Sequence, residues 1–222
     1  LSSFDLVAFV LSNFILNKYN KRHDKYIYYI IHDQVDNLGM HKSYNLLDHS
    51  KFINNLNEIK NIFLFYKMNV PELIETTILK MTSTLKQYFH DDGTLPLFNG
   101  SNNSYTKIIN DSLNKITYLK KREFSNNNGI AFYSDKNKSL FFDVVQPNKY
   151  KISENLSAGT LSFEFSADGE KIISNCGASE SFGKNPEYLR YTAAHSTNVI
   201  QNTNISEIKE NNPHLKFPQS VT

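Results

Sequence analysis

The hydrophobic period of this chain changes near residue 116, and that change constrains its fold class more than any other feature. Before it, apolar residues recur every three or four positions. Phe4, Val7, Leu11 and Phe14 form one stripe. Phe52, Leu56, Ile59, Phe63 and Tyr66 form a second, and Ile74, Ile78, Met81, Leu85 and Tyr88 a third. Each stripe predicts an amphipathic helix that buries its apolar side against a neighbour. Pro71 suits the first turn of the third helix, where the missing N–H is one that a helix start leaves unbonded anyway. Shorter helices are expected over 25–35 and 105–113. His90-Asp91-Asp92-Gly93 reads as a helix end and turn, and Pro96-Leu97-Phe98-Asn99-Gly100 as a loop.

After residue 116 the period falls to two. Short β-type runs occur at 130–133 and 139–145. Leu161, Phe163 and Phe165 alternate with Ser162, Glu164 and Ser166, which predicts a strand with its apolar face buried and Glu164 in solvent. Asp168-Gly169 is a hairpin turn signal, with the returning strand expected over 171–176. His195, Thr197 and Val199 share one face of a further expected strand. The expectation is a multi-domain α+β protein, helical over 1–116 and an antiparallel β-sandwich over 117–222.

Composition narrows the classes. The 222 residues are 40% hydrophobic and 21% charged, an ordinary globular balance. A net charge of +2 supplies no basic field for nucleic acid, so no nucleic-acid partner is expected. The single cysteine, Cys176, excludes an intramolecular disulfide and, at a strand end, reads as a small buried hydrophobe. The apolar run 4–16 is broken by Ser12 and Asn13 and is too short to span a bilayer. It also lacks the basic leader and cleavage site of a signal peptide. Leu1 in place of Met leads us to expect a piece of a longer or processed protein. Asn99-Gly100-Ser101, Asn102-Asn103-Ser104 and Asn155-Leu156-Ser157 match the N-glycosylation sequon, which matters only in a secretory eukaryotic setting.

Two C-terminal blocks go further. The first is Ser157-Ala158-Gly159-Thr160-Leu161-Ser162-Phe163-Glu164-Phe165-Ser166, followed by Asn175-Cys176-Gly177. The second is Arg190-Tyr191-Thr192-Ala193-Ala194-His195-Ser196-Thr197. Their order resembles the C-terminal β-sandwich of the heparinase II/III-like polysaccharide lyases. Asp92-Gly93-Thr94-Leu95-Pro96-Leu97-Phe98-Asn99-Gly100 resembles that family's loop between its α/α-toroid and its sandwich. Asp36-Asn37-Leu38-Gly39-Met40-His41-Lys42-Ser43 resembles the segment that begins the toroid's Tyr-bearing helix. The likeness runs from about residue 31 to about residue 206 and implies that the helical half is a partial α/α-toroid. It also implies a periplasmic or cell-envelope setting.

The resemblance implies an acidic polysaccharide or oligosaccharide as partner, cleaved by β-elimination. That reaction removes the C5 proton of a uronic acid. It needs a base, commonly Tyr or His, and groups that neutralise the carboxylate as negative charge develops. It needs an acid for the departing sugar oxygen. His41, Tyr44 and His49 fall where the resemblance implies the cleft. Asn155 stands where several lyases carry a catalytic histidine, and Arg190 has the guanidinium that binds a carboxylate bidentately. Tyr44 is out of register with the family tyrosine, whose position falls in 46–48. The family's upstream Asn- or His-bearing toroid motif is not recognisable.

A zinc ion is also implied, with Ser157, Asn175 and His195 at its ligand positions. Zinc favours His, Cys and carboxylate, so one imidazole with neutral oxygens is an incomplete set. The expectation is a degenerate site at His195 and Asn175. Each residue also has a structural reading: His195 as a core histidine, Arg190 as a surface residue or loop staple, and His41, Tyr44 and His49 as surface residues. His90, Asp91 and Asp92 have a metal-site reading beside the turn. His23, His32 and His214 show no partner pattern. Two other functions stay open: a non-catalytic carbohydrate-binding or cell-envelope protein on the same fold, and a glycoside hydrolase. The hydrolase needs two carboxylates across one cleft, for which Asp33, Asp36, Asp48 and Glu58 are available.

Overall fold

The computed structural model describes residues 3–103, 124–125, 129–145, 157–178, 187–206 and 208. Four helices come first: α1 (Ser3–Ile15), α2 (Lys21–Gln34), α3 (Leu46–Phe65) and α4 (Glu72–Leu85). The stripes of α3 and α4 bury as their spacing predicts, with Phe52, Leu56, Ile59, Phe63, Ile74, Met81 and Leu85 in the core. α1 buries a different face from the one expected. Leu6, Val10 and Phe14 point inward, while Phe4 is 72% exposed. That helix is apolar on nearly every side, so its period does not select a face. α2 begins four residues before the expected start because Asn20 caps it. The Asn20 side chain accepts from the Arg22 N–H at 3.1 Å, and the Asn20 N–H donates to His23 Nδ1 at 3.0 Å.

α3 packs against both α1 and α4. Phe14 stacks on Tyr19 with ring centres 4.3 Å apart and on Tyr66 at 4.9 Å, and meets Phe63 edge-on at 5.1 Å. The helix α4 tightens into a 3₁₀ turn, Lys86–Tyr88, that delivers the buried Tyr88 to the sheet. There it lies 5.7 Å from Phe132 and 6.4 Å from Phe141. One apolar cluster therefore runs from the helices through Leu95 and Phe98 into Ile130, Phe132 and Phe141.

The sheet is an antiparallel meander of five strands: β1 (Phe124–Ser125), β2 (Ile130–Asp135), β3 (Lys138–Asp143), β4 (Phe163–Ala167) and β5 (Glu170–Ile173). Asp168 and Gly169, with φ of 54° and 82°, form the β4–β5 turn that the sequence predicts. The strand β4 is inverted relative to expectation. Ser162, Glu164 and Ser166 are buried, while Leu161 is 63% exposed. The inward side faces polar partners, described below.

Three further expectations are corrected. The 192–199 segment holds no strand among the described residues; it begins with the 3₁₀ turn Thr192–Ala194, which follows another at Glu187–Arg190. Local bonds close it: the Ala194 N–H donates to Tyr191 O at 2.9 Å and the His195 N–H to Thr192 O at 3.0 Å. β5 stops at Ile173 rather than running to 176, and Cys176 is exposed rather than buried. Gly177 follows it with φ of 63°, turning the chain where a Cβ would come within 2.7 Å of Ser101 O. The expected 105–113 helix, the boundary at 116, Asn155 and His214 lie outside the described residues. Among the described residues there is one sheet. No described helix is long and apolar enough to cross a membrane.

Candidate functional site at the helix–sheet junction

The loop after α4 meets the inner face of β4 through a buried carboxylate. Glu164 Oε1 accepts from the Leu97 N–H at 2.8 Å, the Asn175 N–H at 3.1 Å and Asn175 Nδ2 at 3.3 Å. Its Oε2 accepts from Lys171 Nζ and from His90 Nε2, each at 3.1 Å. Both the His90 and the Glu164 side chains are fully buried. Nδ1 of His90 meets Ser166 Oγ at 2.8 Å. Burial alone pushes the Glu164 carboxyl upward. His90, Lys171 and the Leu97 and Asn175 amides outweigh that and hold it below the usual carboxylate range. The polar phase of β4 follows from this: its alternation is real, but its buried side is the hydrogen-bonding side.

The three positions implied for zinc lie in segments that come together. The Ala158 N–H donates to Arg190 O at 2.9 Å, and Thr192 Oγ1 to Ala158 O at 2.9 Å. Gly159 packs on the His195 ring so closely that a Cβ would come within 3.0 Å of Cγ. Ser157, Asn175 and His195 are all buried. Asn175 Oδ1 accepts from the Ser196 N–H at 3.0 Å, and Ser196 Oγ bonds Phe163 O. Burial pushes His195 down to about 4 against the pull of Glu164, and its buried Nε2 has no hydrogen-bond partner among the described residues. The described residues contain no group of three His, Cys, Asp or Glu that could hold a metal ion. The orphaned imidazole nitrogen is one donor, but the Asn175 oxygen is already engaged, and the set does not fit zinc. Arg190 is buried too.

The implied cleft residues lie at the start of α3. His49 is wholly buried; its Nε2 donates to Met81 O at 2.9 Å and its Nδ1 accepts from the His41 N–H at 3.2 Å. Burial lowers it to about 4, with the Met81 carbonyl opposing. His41 is also buried, its Nδ1 2.7 Å from Ser43 Oγ. Burial, then the neighbouring His49 and Lys42, bring it to about 3. Both rings are neutral near pH 7, and the surface reading of each is corrected. Tyr44 is half-buried at φ of 51°, next to Asn45, whose side chain caps α3 and donates to Asn99 O at 2.8 Å. The Tyr44 ring lies against Gly129, where a Cβ would come within 2.8 Å of it. Burial, then Asp36, raises its phenol.

Two junction residues escaped the sequence reading. Asp143, buried at the end of β3, donates its N–H to Ser162 O at 2.8 Å and accepts from the Val145 N–H at 3.1 Å. Burial drives its carboxyl to about 7, opposed by Val145 and the Asn99 side chain. Its signal was available: Ser139, Phe141 and Asp143 share the inward phase of β3. His90, read as a helix end or as part of a metal site, is the other, and it pairs with a carboxylate instead. Nothing near it in sequence signals a partner 74 residues away.

Residues 119–215 match the family model described as heparinase II/III-like, C-terminal. No curated protein matches the chain. Among solved structures, it is similar to a heparinase III gene product at 14% identity with a TM-score of 0.70, covering 91% of this chain and 37% of that one. It is similar to the heparan sulfate lyase HepC from Pedobacter heparinus at 16% identity with a TM-score of 0.64, covering 95% and 39%. A heparinase III crystal structure aligns at 12% identity and a TM-score of 0.65, covering 79% and 34%. The chain thus spans between a third and two fifths of the length of these three structures. Such identities speak for the fold alone, while the model match names the domain. Over residues 119–215 the chain matches the heparinase II/III-like C-terminal domain, and its fold is similar to that of solved heparinase structures.

Proposed function

We propose that the protein acts on a uronic-acid-containing polysaccharide as a lyase, cleaving by β-elimination. The observation that carries this is the family match over 119–215, joined to a fold similar to that of a heparinase III and a heparan sulfate lyase. In this proposal Tyr44 is the group that meets substrate. It stands half-exposed where the start of α3 meets the start of β2. The phenolate of Tyr44 takes the C5 proton, and the phenol so formed gives that proton to the departing sugar oxygen; burial, by raising the phenol, strengthens the base and makes its charged form scarcer. We assign His41 and His49 to holding the 41–43 segment under Tyr44, since both ring nitrogens of His49 and Nδ1 of His41 are engaged inside the protein. Asn155 and Arg190 are proposed to neutralise the substrate carboxylate. No step is routed through zinc.

A second proposal, a binding module without turnover, is favoured by one observation: the residues at the family's zinc positions do not fit zinc. The whole protein mixed with heparan sulfate, hyaluronan and alginate tests both. Growth of absorbance from an unsaturated uronate product on at least one polymer is expected. Binding with no unsaturated product on any of them favours the module and overturns the lyase. New reducing ends without unsaturation would point to a hydrolase instead.

A further inference from the structure

We infer that a hydrogen-bonded pair, the Glu164 carboxylate and the Asn175 carboxamide, does here the structural work that a metal ion would do in tying these segments together. The pair joins four stretches of chain. Glu164 belongs to β4 and holds the Leu97 amide of the loop after α4. Asn175 Nδ2 donates to Glu164 Oε1 at 3.3 Å and reaches Phe163 O at 3.5 Å. Asn175 Oδ1 accepts from the Ser196 N–H at 3.0 Å and lies 3.4 Å from Ser196 Oγ. The Phe163 N–H in turn donates to Ser196 Oγ at 3.0 Å. Both amide hydrogens and the amide oxygen of Asn175 are thus committed, and both oxygens of Glu164 are filled.

That geometry explains why residue 175 is an amide in this chain. An aspartate there would set two carboxylates about 3.3 Å apart, inside the protein, at a site where Glu164 is 0% exposed. Either a cation between them or a proton taken up by one of them would be needed to relieve the repulsion. With Asn175 the same contact is attractive and no cation is required. The inference stands on these contacts and holds whether or not the protein turns over polysaccharide.

Two measurements test it. The whole protein is dialysed against chelator, analysed for metal, and melted with and without added zinc. No stoichiometric zinc and an unmoved melting temperature are expected; retention of one equivalent, or a clear rise on adding zinc, overturns the inference. Asn175→Asp is then compared in two backgrounds, both in chelator. Beside Glu164 it is expected to lower the melting temperature by about 5 °C or more, scaled to a chain of this length. Beside Glu164→Gln, whose amide can donate to the new carboxylate, the loss is expected to fall by at least half. Equal losses in the two backgrounds overturn it. If Asn175→Asp does not fold alone, recovery of folded protein in the double variant is the supporting result, and failure to recover it is the contradicting one.

Discussion

Glu164 is the residue on which most of the junction converges, and its removal carries the heaviest penalty. Glu164→Ala strips the acceptor from the Leu97 and Asn175 amides, His90 and Lys171 at once. We predict a loss of about 3–5 kcal/mol in denaturant unfolding, the range for breaking a buried charged pair. Lys171→Met, at the partly exposed rim, should cost about 1 kcal/mol. Ionisation gives a second prediction at this scale. Asp143 rises to about 7 on folding, so the native state holds a proton that the unfolded chain releases above its ordinary 3.8. Stability from this group is full below that ordinary value and declines as pH rises toward 7, with a ceiling of about 4 kcal/mol. His41 and His49 act with opposite sign. Lowered to about 3 and 4 from 6.5, they contribute stability above 6.5 that is lost as pH falls. Together with the likewise lowered His195, the two histidines outweigh Asp143, so melting temperature should rise from acid to about pH 7 and level off there. Asp143→Asn removes the opposing group and should steepen that rise between about pH 4 and 7; an unchanged slope contradicts the assignment.

Elements were legible in proportion to how strongly their two sides differ. α3 and α4 carry one apolar stripe each, and Phe52 to Phe63 and Ile74 to Leu85 bury as spaced. α1 has apolar residues on all sides, so its existence was readable and its buried face was not. In β4 both phases have a claim to the interior: Phe163 and Phe165 on one side, Glu164 and its partners on the other. Hydrophobicity chose the wrong phase because His90 and Asn175, which make the polar phase the buried one, lie far off in sequence. The block around His195 reads as alternation, but turns closed by Tyr191 and Thr192 carbonyls took that segment instead. Of the candidate site, Tyr44, Asn175 and His195 were named from sequence, whereas Glu164, His90 and Asp143 needed the fold. A prediction belongs here as well. Gly129, at φ of 68°, lets β2 begin directly beneath the Tyr44 ring. Gly129→Ala should cost about 2 kcal/mol from its left-handed backbone, and more from the displaced ring. A melting temperature within 1–2 °C of wild type, the shift expected for well under 1 kcal/mol in a chain of this size, would contradict both the left-handed backbone at 129 and the ring contact.

At the scale of the whole molecule, helices and sheet share one apolar cluster and one polar junction, so they should unfold together. Coincident denaturant transitions by helical circular dichroism and by tyrosine fluorescence are expected, and two separated transitions would contradict the shared core. The same continuity sets the Tyr44 ring against Gly129, where the start of α3 meets the start of β2. The most direct test of the proposed activity compares wild-type protein with Tyr44→Phe on whichever uronic-acid polymer yields unsaturated product. Loss of the proton that Tyr44 delivers should lower kcat by about 100-fold or more with KM little changed and the melting temperature within a few degrees. Equal rates from the two proteins, or no unsaturated product from wild type on any of the polymers, would contradict it.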